Sequence, residues 1–318
     1  MKLTNNFLVL PNASLDVEQL LLDSGRSIEE ASKTVSITGI SSISFAYPKL
    51  LTEFVFDGLN KIDKINGEIL ADIDAVIVVS QSYDQRIPSI STRIQNKFRL
   101  KNDTFCIDVM DGCSGYIKAL SLVSALEQKG HKKVLLIAGD INSMMTSEAE
   151  VGTRILFGDG ISASIFESDG SKLDTRLFSN GDVDNIISCI ASENIMIMNG
   201  FEVFRFTRNV VPKLINSYLE ESGKSIQYYD LVALHQASKL VVSTICNSLK
   251  FKNTLTNDFS CEEIGNLGAG SIGAWLSRIG RLDRKGKLNI LAVGYGSGLS
   301  WGLASFVVDV RRNEVIYV

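Results

Sequence analysis

Short runs of apolar, often β-branched residues, each closed by a polar residue or glycine, recur along this chain between longer runs at helical spacing. In "DAVIVVS", "TFCIDVM" and "KVLLIAGD" nearly every position is apolar, so such strands have no wet face and must be covered on both sides. Helices supply that cover: "SGYIKALSLVSALEQKG" lies among the first-half strands, and "ASKLVVSTICNSL" and "GSIGAWLSRIG" among "YDLVALH", "NILAVGYG" and "LASFVVDV". Alternation of this kind predicts a layered α/β protein with mostly buried sheets.

The two halves echo one another in order. "KKVLLIAGD" followed by the alternating "ISASIFE" parallels "KLNILAVGYG" followed by "LASFVVDV", a repeat at about half the chain length. At 318 residues the chain exceeds the usual single core, and the polar "ESDGSKLDT" is the natural seam. A pseudo-duplicated fold is expected, with halves at residues 1–170 and 171–318.

Composition removes several classes of function. Thirty-two Lys and Arg against 36 Asp and Glu leave a net charge of −4, without the clustered basic surface of a nucleic-acid binder. No apolar run reaches the roughly 18 residues of a membrane span, and "MKLTNNFLVLPNAS" makes a poor secretory signal. Five cysteines, Cys106, Cys113, Cys189, Cys246 and Cys261, include no C-x-x-C pair, which points to a reducing cytoplasm rather than a disulfide framework or zinc site.

Three residues stand where chemistry is presented, at the ends of elements. In "DVMDGCSGYIKAL", Cys113 lies between a strand and a helix. A helix start favours negative charge, so a lowered thiol pKa is expected there, and Gly112 and Gly115 allow a sharp turn. The alternative is an inert core cysteine. In "YYDLVALHQASKLVV", His235 closes an apolar strand before a helix, where α/β sheets present functional groups; a hydrogen-bonded core histidine is the alternative. His131, in "QKGHKK", reads as a solvated helix end. Asn266, in "EEIGNLGAGSIGAWL", sits among four glycines, and ordinary turn chemistry accounts for it equally well. A thiol with a histidine and an asparagine on separate elements is a known catalytic constellation. The glycine-rich "AVGYGSGLSWG" lacks the following helix and acidic residue of a dinucleotide site; it suits a tight loop whose N–H groups face an oxyanion.

Taken together these segments resemble the ketoacyl synthase III branch of the thiolase-fold condensing enzymes. "DVMDGCSG" resembles the nucleophile motif, "LVALHQAS" the histidine motif, "IGNLGAGS" the asparagine motif and "GYGSGLSWG" the terminal glycine loop, in the family's order. "ILFGDGISASI" and "NGFEVFRF" match two further stereotyped segments, and the similarity covers roughly residues 70 to 310. The resemblance implies a five-layered αβαβα thiolase fold and a homodimer. It also implies that Cys113 takes an acyl group from a thioester, with the N–H groups of Cys113 and Ser297 as oxyanion hole. His235 and Asn266 would hold a malonyl thioester through decarboxylation and condensation, with no metal or bound cofactor. The substrates implied are acyl-coenzyme A or phosphopantetheine thioesters on an acyl carrier protein.

Departures qualify what is carried over. The tryptophan and arginine that hold coenzyme A in the family are absent from "ASKTVSITGI", which favours a carrier-protein donor or a different hold on coenzyme A. Ile87, in "QRIPSIST", stands where many members place a phenylalanine that enters the partner's acyl pocket, and an aliphatic there admits longer or branched chains. Arg205 and Arg208 fall on the helix that the resemblance places at the tunnel mouth, as docking residues for an acidic carrier protein. Two other readings stay open on the same fold: acyl transfer to an alcohol or amine, and a non-catalytic partner subunit. A nucleotide-binding protein is disfavoured by the glycine-loop context.

Overall fold

The computed structural model describes residues 1–181, 186–190, 192–249, 260–279 and 286–318. Its strands are β1 (Lys2–Leu10), β2 (Ser14–Asp16), β3 (Ser42–Ser44), β4 (Ala75–Ser80), β5 (Phe105–Met110), β6 (Lys133–Asp140), β7 (Gly160–Glu167), β8 (Asp174–Ser179), β9 (Ile187–Cys189), β10 (Met196–Met198), β11 (Leu231–Leu234), β12 (Leu288–Gly296) and β13 (Ser300–Tyr317). The helices are α1 (Val17–Asp23), α2 (Ile28–Thr38), α3 (Leu51–Asn66), α4 (Ile90–Lys97), α5 (Gly115–Gln128), α6 (Val151–Arg154), α7 (Gly200–Ser222), α8 (Lys239–Ser248) and α9 (Ser271–Leu276). The helical run ending at Gly280 stops being helical earlier than its sequence suggests, and Gly280 itself lies outside the described residues.

Among the described residues nine strands join in one sheet, in the order β11-β12-β13-β1-β7-β6-β4-β5, with β8 also on β13. Strand β13 links β12 and β8 to β1. Its first part pairs with β12 and β8, and its second part runs parallel to β1.

The period-two alternation of strand side chains divides the apolar residues into three cores. In β4, Ala75, Ile77 and Val79 face a central core, whereas Val76 and Val78 face an outer one. In β11, Leu231 and Ala233 face the same central core, and Val232 and Leu234 a second outer one. The central core holds α5 and α9 through Tyr116, Leu120, Ile272 and Trp275. Helices α3 and α4 cover the first half outside, through Phe54, Leu59, Ile90 and Ile94. Helices α7 and α8 cover the second, through Val211, Ile215, Val242 and Ile245. Five layers result, helix, sheet, helix, sheet, helix, the two sheet layers being the β8–β13–β12–β11 and β1–β7–β6–β4–β5 parts of the one hydrogen-bonded sheet.

Strand β1 is the element that sequence patterning overlooks. Thr4, Asn5 and Asn6 break its apolar run, yet all three are buried. Their polar groups are satisfied inside. Asn6 donates from Nδ2 to Gly273 O at 3.0 Å and accepts from Ser164 Oγ at 2.7 Å, and Ser164 is itself bonded to Tyr116 OH. Buried amides of this kind cost little once paired.

Candidate active site

Cys113 lies between β5 and α5, just outside the helix, in a turn closed by Gly115 N–H to Gly112 O at 2.7 Å. The turn is anchored on both sides. Asp111 accepts from Gly112 N and pairs with Lys118 on α5, while Ser114 Oγ meets Ser300 Oγ on β13 at 2.5 Å. The backbone of Gly296 crosses directly over the thiol: a Cβ there would lie 2.8 Å from Cys113 Sγ. No residue but glycine fits.

His235 follows β11 directly. Its N–H donates to Val293 O at 2.8 Å, its carbonyl accepts from Tyr295 OH at 2.7 Å, and the Tyr295 ring meets the imidazole edge-on at 5.3 Å. Nδ1 is hydrogen-bonded to Ser271 Oγ, at the start of α9. Burial pulls the imidazole down to about 3, so it is neutral at physiological pH.

Asn266 is gripped by the other half of the molecule. Its N–H donates to Leu156 O at 2.8 Å, and its carbonyl accepts from Gly158 N–H at 3.1 Å. The grip needs close approach, because a Cβ on Gly158 would lie 1.8 Å from Ile264 O. Asp159 pins this segment by accepting from Ala46 N, Ser143 N and Ser143 Oγ at 2.6–2.8 Å. The Asn266 side chain accepts at Oδ1 from Gly268 N–H at 3.0 Å. That leaves its amide N–H groups as donors.

Cys113, His235 and Asn266 line one cavity of about 230 Å³, with apolar walls that include Phe157, Ile187, Met198, Phe204 and Val241. Among the described residues no charged side chain lines it. Two roomier clefts of about 300 Å³ hold none of the three residues. A thiol beside two groups able to donate hydrogen bonds, within an apolar cavity, can hold an acyl group and stabilise an oxyanion.

Comparison with known proteins shows the family. The family model for 3-oxoacyl-[acyl-carrier-protein] synthase III matches residues 107–181, and that for its C-terminal part matches residues 219–308. The beta-ketoacyl-[acyl-carrier-protein] synthase III of Acholeplasma laidlawii is 30% identical over 236 residues, covering 73% of this chain and 75% of that protein. The chain belongs to the 3-oxoacyl-[acyl-carrier-protein] synthase III family. The synthase III of Clostridium perfringens is 28% identical over 290 residues, 84% of this chain and 87% of that protein. In fold, the chain matches the crystal structure of a 3-oxoacyl-(acyl-carrier protein) synthase from Burkholderia xenovorans at a TM-score of 0.91 and 24% identity, across 100% of this chain and 97% of the other. It matches the priming β-ketosynthase of the R1128 polyketide pathway at 0.83 and 20% identity, over 97% of each. The thiolase fold expected from the motifs is the fold observed.

The remaining expected site residues lie where they can be compared with the cavity. Ser297 is in the β12–β13 turn beside the thiol, and its backbone N–H favours the thiolate, as does that of Cys113. Arg205 and Arg208 are exposed on α7, whose Gly200, Val203 and Phe204 line the cavity; Arg205 pairs with Glu202 at 2.7 Å. Ile87 is 84% exposed and does not line the cavity of its own chain. His131 is partly buried, with Nδ1 bonded to Asp74 O, and lies outside the site. Ile37 and Thr38, from "ASKTVSITGI", line the cavity without an aromatic or basic group.

One expectation is reversed. The helix start was to lower the Cys113 pKa, but burial pushes the thiol up to about 12; Ser297 N–H pulls it down, and Asp140 and Asp111 push it further up. The cause is position. Cys113 precedes the helix and is only 9% exposed, so dehydration outweighs the dipole. Sequence reading also missed Ser271, Tyr295 and Asp140. The buried Asp140 accepts from Ser80 Oγ, Gln81 N and Ser82 N, and a Cβ on Gly268 would lie 2.6 Å from its Oδ2. The only available signals were a serine opening a helix, a tyrosine within a glycine loop and an aspartate closing a strand.

With its pKa raised by burial, the Cys113 thiol is protonated in the free protein near neutrality. Its alkylation by iodoacetamide, followed by peptide mass spectrometry, should accelerate roughly tenfold per pH unit, with no plateau below about pH 9. A plateau near neutrality would show a resting thiolate.

Proposed function

We propose that this chain catalyses decarboxylative condensation of an acyl thioester with a malonyl thioester, giving a 3-ketoacyl thioester. The observation that carries this is the convergence of Cys113, His235 and Asn266 on one apolar cavity. In the first half-reaction Cys113 Sγ attacks the acyl carbonyl, the carrier thiolate leaves and takes up the thiol proton, and an acyl-cysteine remains. The N–H groups of Cys113 and Ser297 stabilise the tetrahedral oxyanion. In the second, the malonyl thioester loses carbon dioxide, and the resulting enolate oxygen is held by His235 and Asn266. Its carbon attacks the acyl-cysteine carbonyl, the C–S bond breaks, and the released Cys113 thiolate takes up one proton from solvent water. Each step uses hydrogen-bond donors in a dry site, where they are worth most.

His235 as a base for an alcohol or amine acceptor fits less well. Its ring is bonded to a serine hydroxyl rather than to a carboxylate, and it is held neutral by burial. A non-catalytic subunit has no use for the retained thiol and paired donors. Within this reading, residues 1–170 and 171–318 are the two thiolase-like halves, contributing the nucleophile and the donor pair respectively.

The acyl group is proposed to arrive on an acyl carrier protein or as acyl-coenzyme A, with Arg205 and Arg208 docking the acidic carrier. The active form is proposed to be a homodimer. Support comes from β5, an edge strand of the described sheet with Phe105 and Met110 exposed, since unpaired apolar edges are covered in stable proteins. In the dimer, Ile87 would complete the partner's acyl pocket.

Incubation with an acyl thioester should yield an acyl adduct by intact-protein mass spectrometry, absent in Cys113→Ala. Asn266→Ala should keep the adduct but slow discharge by malonyl thioester by about 100-fold or more; no adduct from wild type across a broad acyl panel would sink the reading. Arg205→Glu should raise KM for a carrier-protein substrate while sparing a small thioester, and equal effects on both would remove Arg205 from docking. Sedimentation equilibrium should return two chains per particle, and a monomer at working concentration would remove the role of Ile87.

A further inference from the structure

We propose that Ser271 is a positioning residue that decides which nitrogen of His235 carries the proton, making His235 a hydrogen-bond donor into the cavity. The argument is one of counting. A serine hydroxyl has a single proton and can accept on its lone pairs. Ser271 is fully buried, and among the described residues its Oγ meets Gln236 N–H at 3.4 Å and His235 Nδ1; a backbone N–H can only donate, so Nδ1 is the acceptor open to the buried hydroxyl proton. A ring nitrogen that accepts cannot bear the proton of a neutral imidazole, so that proton is on Nε2. With Nδ1 engaged, Nε2–H is the group left to meet a ligand in the cavity that His235 lines.

A carboxylate at Ser271 would do the opposite. It would accept from Nδ1–H and leave Nε2 as a lone pair, the arrangement that makes histidine a general base. Ser271 thus separates a donor site from a base site by the polarity of one hydrogen bond. Its position is held closely. Ser271 has no exposed surface, and the preceding Gly270 lies so near β6 that a Cβ would stand 2.8 Å from Ala138 O. The Tyr295 ring, edge-on to the imidazole, and Tyr295 OH, bonded to the His235 carbonyl, fix the other side.

The chain has only two histidines, which makes the test direct. In protein labelled with 15N-histidine, assigned with His131→Gln, His235 should give the signature of the Nε2–H tautomer. In Ser271→Ala the preference should be lost, with a mixed or Nδ1–H signature. The kinetic consequence rests on the proposed condensation: Ser271→Ala should slow malonyl decarboxylation roughly tenfold or more while sparing acylation of Cys113. An Nδ1–H tautomer in wild type, an unchanged tautomer in Ser271→Ala, or equal loss of both half-reactions would overturn the role. The tautomer is read without turnover. An Nε2–H signature in a protein that forms no acyl adduct would therefore uphold Ser271 and reject the condensing reading.

Discussion

Two backbone hydrogen bonds, from Asn266 N–H to Leu156 O and from Gly158 N–H to Asn266 O, bind the donor loop of the second half to a segment of the first. The candidate site depends on them because its residues come from distant stretches of chain: Cys113 from the β5–α5 turn, His235 and Asn266 from beyond β10. Side-chain contacts could align such groups only loosely. The bridge runs through backbone atoms and leaves no room for a Cβ at Gly158, so it holds the Asn266 loop closely, and catalysis by positioned dipoles depends on preorganisation of this kind.

The second governing condition is dehydration. It neutralises His235, keeps the Cys113 thiol protonated and gives weight to each N–H that points inward. A resting thiol of this kind is protected from oxidation and alkylation, since the thiolate is the reactive form. The reversed pKa follows from the same burial, which outweighs the backbone N–H groups that favour the thiolate.

What the sequence disclosed was local. Cys113, His235 and Asn266 are legible because each ends an element, and ends are marked by glycine, polar residues and changes of period. The layers are legible because strands apolar on both faces must be sandwiched. Strand β1 was hidden because Thr4, Asn5 and Asn6 break its apolar run; Asn5 is satisfied by the neighbouring Thr4, and Asn6 by the distant partners Ser164 and Gly273. The direction of the Cys113 shift was hidden for the same reason, since burial is a property of the whole fold. Ser271 lies 36 residues from His235, and no periodicity links them.

The β12–β13 hairpin has one more consequence. It brings Gly296, Ser297 and Ser300 against the nucleophile turn, the last of these across 186 residues of sequence from Ser114. During vectorial synthesis on the ribosome, Cys113 emerges long before the strands that will dehydrate it and surround it with donors. Until β13 pairs with β12 and β1, the contacts that Gly296, Ser297 and Ser300 make with the turn around Cys113 cannot form. The cover of the thiol is therefore completed only after β13 has been made.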